Sequence, residues 1–149
     1  MVRDSRREGY VMKVSGLLGV MVGAVMLCLA PTGAAAAGKY DGSTPLLCVP
    51  VIVSECRPDG QCRQVGAESV NLTPFLKVDV KERKVYSEET GRASPISGFE
   101  RLDGNMVVQG AQNGRGWTMT IAEETGKMSA AISSGAEGWI VFGSCTVVP

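Results

Sequence analysis

From Trp117 onward the chain alternates. Trp117, Met119 and Ile121 fall on one face and Thr118 and Thr120 on the other, and Met128, Ala130 and Ile132 repeat the rule. A period of two belongs to a β-strand with one buried side. Between the two runs, Glu123-Glu124-Thr125-Gly126 reads as a type I turn closed by a left-handed glycine. Trp139 to Cys145 breaks the pattern, because Ile140 and Phe142 are as apolar as Trp139, Val141 and Cys145. Such a strand is expected to be buried on both sides or to lie centrally in its sheet.

The upstream chain follows the same grammar. Leu76, Val78 and Val80 share a face opposite Lys77 and Asp79, Lys81-Glu82-Arg83 reads as a polar turn, and Lys84 to Ser87 as the returning strand. Glu88 to Pro95 is charged and carries Gly91 and Pro95, which predicts a loop. Ile96–Leu102 and Met106–Gln109 flank Asp103-Gly104-Asn105, a hairpin signal. Gln112-Asn113-Gly114-Arg115-Gly116 turns the chain into Trp117. Leu46 to Ser54 is β-branched and apolar, but Pro50 has no amide to donate, so this strand is an edge or carries a bulge.

After Gly38 no window of about eleven residues holds a 3.6-residue period, and only Ala67 to Leu72 leaves room for a short helix. The prediction is an all-β fold: an antiparallel meander of about seven or eight short strands forming a small barrel or strongly curved sheet, stapled by disulfides.

The N-terminal stretch is of another kind. Arg6, Arg7 and Lys13 precede an uncharged apolar run, Val14 to Leu29, and Ala30-Pro31-Thr32-Gly33 breaks it before the small residues Ala34 to Ala37. These are the three parts of a secretory signal peptide. Residues 1–37 are read as that signal, with Met12 as an alternative start, and 38–149 as a single exported β domain. The apolar run is short for a spanning helix and contains Ser15 and three glycines, so no stable membrane insertion is expected.

Export changes the meaning of the cysteines. Cys28 leaves with the signal, and Cys48, Cys56, Cys62 and Cys145 remain, an even number bound for an oxidising compartment. Four cysteines allow three connectivities. Pro58-Asp59-Gly60 between Cys56 and Cys62 is a turn that brings those two thiols face to face. That leaves Cys48, in the first strand, for Cys145, in the last. The spacings of seven, five and 82 intervening residues do not suit structural zinc, and no C-x-x-C pair is present for redox work.

Charge and composition mostly exclude. The chain has 15 basic and 15 acidic residues, of which Arg3, Arg6, Arg7 and Lys13 and the acids Asp4 and Glu8 precede Gly38, leaving 11 basic against 13 acidic. That balance argues for no nucleic-acid partner, and the few aromatics give no base-stacking platform. There is no histidine, so Ser-His-Asp, Cys-His and HExxH sites are excluded. The adjacent acids Glu88-Glu89 and Glu123-Glu124 sit on turns and are expected to point apart into water. No catalytic constellation, metal site or cofactor is expected.

F-L-K-V-D-V, then G-R-G-W-T-M-T-I with E-T-G-K-M, and finally V-F-G-S-C-T resemble a group of small exported bacterial proteins of uncharacterised function. The likeness spans about Cys48 to Thr146. It implies an exported bacterial β domain, and its motifs are turn and strand residues that imply no activity. Exported bacterial lysozyme inhibitors are similar in size and disulfide closure, but their Ser-Gly-x-x-Tyr and Trp-x-x-Gly-x-x-Ala elements are not found here, so that likeness is one of shape alone.

Two roles follow. The first is a non-enzymatic periplasmic or secreted module that binds a protein partner, as an inhibitor or accessory factor. The second is a carrier of a small apolar ligand in a calyx lined by Leu76, Val78, Met119, Ile121, Met128 and Ile132. Candidate contact residues for either are Arg115 on its flexible loop tip, Trp117 and Trp139 at strand starts, and Lys77 and Asp79 on a strand face.

Overall fold

Turn chemistry divides the chain into hairpins. The computed structural model of the protein describes residues 39–148; the expected signal segment and Pro149 lie outside the described residues. Ten strands run in chain order: β1 (Leu46–Cys56), β2 (Cys62–Val65), β3 (Leu76–Asp79), β4 (Lys84–Tyr86), β5 (Ala93–Pro95), β6 (Gly98–Leu102), β7 (Asn105–Gln112), β8 (Arg115–Ala122), β9 (Lys127–Ser133) and β10 (Gly138–Val147). One 3-10 turn, Ala67–Val70, occupies the place where a short helix had room. Asp103-Gly104 and Asn113-Gly114 have φ of 49° and 75°, and 51° and 73°. Positive φ at both central residues is the geometry that matches strand twist in a two-residue hairpin.

All strand pairs are antiparallel and form one sheet in the order β5-β4-β3-β1-β10-β9-β8-β7-β6, with β2 added to β1. The sheet curls into a half-barrel. The count exceeds the expected seven or eight because β2 and β5 also pair. β5 corrects the loop expected over Glu88 to Pro95: its Ala93, Ser94 and Pro95 face Tyr86, Val85 and Lys84 of β4. Ile96, expected within a strand, instead lies buried between β5 and β6.

β1 is central rather than an edge, and the register slips between Pro50 and Ile52 where the proline cannot donate. On one side it pairs with β10 along its length; on the other, its first residues pair with β3 and its last with β2.

Registers align the inward side chains in rows across the sheet. Gly110, Trp117, Ile132, Trp139 and Glu55 form the row nearest one rim. Val108, Met119, Ala130, Val141 and Val53 form the next, and Met106, Ile121 and Met128 the one beyond. The deep end is tightly packed: Leu46, Cys48, Val78, Met106, Val108 and Ile121 are almost wholly buried.

Both disulfides join residues directly opposite each other in register. Cys48–Cys145 ties β1 to β10 across a sequence separation of 97, and Cys56–Cys62 ties β1 to β2 across 6. The tight turn inside the second has Gly60 at φ 82°, with Gly60 N–H donating to the Arg57 carbonyl at 2.9 Å.

Two expectations are corrected. Glu123 does not point into water: it is buried, and its carboxylate accepts from Arg101 Nε at 2.5 Å and from the Arg101 terminal nitrogen at 2.7 Å. β10 is central, as its composition predicts, yet none of the described residues covers its second face. Ile140 and Phe142 are 39% and 49% exposed, beside Val51 and Ile52 at 69% and 43%. Central position protects the backbone ladder and leaves the outer side chains open.

Candidate functional site

β5 and the residues just after it approach β7 and the start of β8 without forming a ladder with them. Trp117 Nε1 donates to Ser94 Oγ at 2.8 Å, Gln112 Nε2 donates to the Ala93 carbonyl at 2.6 Å, and Ser97 N–H donates to the Gln109 carbonyl at 2.8 Å. Gly110 makes this approach possible. A Cβ there would overlap the Pro95 carbonyl and stand 2.5 Å from the Trp117 ring.

Between this seam and the packed end lies a cavity of about 500 Å³, within the usual range for small-molecule sites. Its wall is apolar, built from Leu76, Val85, Trp117, Met119, Met128, Ala130, Ile132 and Val141. Alternation explains most of the wall: each strand sends every second residue inward, so β8 contributes Trp117 and Met119, and β9 contributes Met128, Ala130 and Ile132. The two methionines are unbranched and soft, side chains that adapt to irregular gaps.

Polar groups collect at the ends of strands and in loops. Asn71 and Thr73 come from the segment after the 3-10 turn, Ser87 and Arg92 from the β4–β5 connection, and Asn113 and Arg115 from the β7–β8 hairpin. Arg115 is two residues before inward-facing Trp117, so strand parity turns it inward as well. Its guanidinium lies 4.7 Å from the centre of the Trp139 ring, a cation–π contact. Arg92 donates to the Asn71 carbonyl at 2.9 Å and to Thr90 Oγ1 at 3.4 Å. Among the described residues, the cavity lining contains these two arginines and no carboxylate.

The residues proposed from sequence are thus divided. Arg115 and Trp117 line the cavity, and Trp139 lies in the same rim row, buried beneath Arg115. Lys77 and Asp79 do not line it. Lys77 pairs with Glu88 at 2.5 Å, and the hydrogen bond from that pair raises its pKa above the ordinary lysine value. Asp79 accepts from Glu82 N–H at 2.9 Å and so shapes the β3–β4 turn. Four of the six residues expected to line a calyx do so: Leu76, Met119, Met128 and Ile132. Val78 and Ile121 sit instead in the packed end, 1% and 0% exposed. Arg92 is the functional candidate that sequence reasoning missed, since nothing in a charged loop marks which side chain will turn toward a distant hairpin.

A second, shallower groove of about 340 Å³ runs over small residues such as Thr118, Ala131 and Ser133, and among the described residues no charged group lines it. Among the described residues no group of three or more His, Cys, Asp or Glu is placed to hold a metal ion, and no helix is long and apolar enough to cross a membrane. The chain matches no protein-family model, and comparison with curated proteins and with solved structures yields no match.

Proposed function

We propose that the protein is a non-enzymatic, exported binding module that takes a small apolar ligand into its half-barrel. The observation that carries this reading is the largely apolar cavity of about 500 Å³, with most of its polar residues at strand ends and in loops. A site of that kind stabilises a ligand by removing apolar surface from water, while a few placed polar groups orient it. The two disulfides fit a periplasmic or secreted destination, where such bonds persist.

Titration with Nile red, an uncharged dye that brightens in apolar surroundings, tests the reading. Saturable one-to-one binding is expected, and Ala130→Phe, which fills the wall from β9, should abolish it while the fold remains intact by circular dichroism. Absence of saturable binding, or binding untouched by Ala130→Phe, would exclude the cavity as the site.

A second reading, a module that binds a protein partner, rests on the outer apolar strip. Ile52 and Phe142 are register partners on adjacent strands, and Val51 and Ile140 flank them. Contiguous exposed apolar surface of this sort often marks an interaction site. If it is one here, Phe142→Ser should eliminate a partner retained from envelope extracts by the native protein; identical retained proteins would remove this reading.

A further inference from the structure

Two cations line the cavity, and neither is paired with a carboxylate among the described residues. The ion pairs among the described residues engage Arg57 and Arg63 with Glu55, Lys77 with Glu88, and Arg101 with Asp41 and Glu123. Arg92 and Arg115 take part in none of them. Both line the same cavity, one from the β4–β5 connection and one from the β7–β8 hairpin, above an apolar wall.

We propose that the ligand is a single-chain amphiphile with an anionic head, a carboxylate or a phosphate, whose head is held by Arg92 and Arg115 and whose apolar tail lies against Met119, Met128 and Val141. This deepens the apolar-ligand reading and rests on it. Guanidinium groups present a planar fork of donors that matches carboxylate and phosphate oxygens. Arg92 is positioned by its bonds to Asn71 and Thr90, and Arg115 by the Asn113-Gly114 turn and the Trp139 ring. Less side-chain freedom is therefore lost when an anion arrives than two free arginines would lose. Both side chains belong to exposed residues, so the head keeps part of its hydration while the tail leaves water. That division avoids burying an unpaired charge. In a domain with more acids than bases, a lining with two cations and no acid also favours anions over neutral or cationic amphiphiles by simple charge complementarity.

The test compares three ligands with the same ten-carbon chain, decanoate, decyl phosphate and decanol, by isothermal titration calorimetry at pH 8. At least one anion is expected to bind about tenfold or more tighter than decanol, and Arg92→Gln with Arg115→Gln should bring it down to the level of decanol. Equal binding of all three by the native protein overturns the anionic head and leaves the apolar-ligand reading standing. A preference for anions that survives in the double variant overturns Arg92 and Arg115 as the groups that hold the head. If none of the three binds and Nile red also fails, both readings fall. The comparison on the native protein is decisive even if a variant unfolds.

Discussion

The half-barrel is held along two seams of opposite character. Where β1 meets β10, the chain's first and last strands pair from Leu46 and Val147 to Cys56 and Gly138, and Cys48–Cys145 locks them. Where β5 and the residues after it meet β7 and β8, four hydrogen bonds do the joining, three of them from side chains. The first seam resolves the hardest entropic problem in the fold, bringing together residues 97 apart in sequence. The second is local, short and placed beside the cavity. Local opening at the weakly held side costs far less than global unfolding, which suits the binding role proposed for the cavity.

The largest effect should come from cutting the strong seam. Replacing Cys48 and Cys145 with Ala is expected to cost about 4 kcal/mol in urea unfolding, whereas replacing Cys56 and Cys62 costs about 2 kcal/mol, because the loop they close is short. Equal costs would show that chain entropy is not what separates the two bridges.

Gly110→Val attacks the weak seam. The new side chain meets the Pro95 carbonyl and the Trp117 ring, and relieving that overlap is expected to cost about 2 kcal/mol. Amide exchange should accelerate at Ser97, whose N–H donates across the seam, while β1 and β10 stay protected. Acceleration spread evenly over the sheet would mean that the two seams open together.

A gentler cut is Ser94→Ala, which removes the acceptor of the half-buried Trp117 indole. About 1 kcal/mol should be lost, with a shift in Trp117 fluorescence and no change in the m-value.

The smallest effect is electrostatic. Hydrogen bonds from Ser43, with the nearby Arg101 charge, hold the Asp41 carboxyl below its ordinary value. A carboxyl whose pKa is lowered by folding contributes its stability fully above the ordinary carboxylate range. That contribution is lost as pH falls through the lowered value. Asp41→Asn should therefore flatten the acid limb of the stability profile. Exchange at the β5–β7 seam, whose hydrogen-bonding groups do not titrate, should keep the same protection factors over that pH range.

Local rules account for much of this molecule. The Asp103-Gly104 and Asn113-Gly114 turns, the inward parity of Trp117, Met119, Met128 and Ile132, the bulge beside Pro50 and the pairing of Cys56 with Cys62 all follow from residues a few positions apart. The Cys48–Cys145 bridge follows by elimination from the last of these. Other features depend on parts of the chain that meet only in space. Glu123 is buried because Arg101 arrives from β6. β5 becomes a strand because β4 offers it a free edge. Ile140 and Phe142 are exposed because none of the described residues crosses the outer face of β10. Arg92 and Arg115 line one cavity because curvature brings together loops that lie on either side of Ala93 to Gln112. Periodicity tells which way a side chain leaves its own strand; sheet curvature sets what it meets there, and that depends on every strand at once.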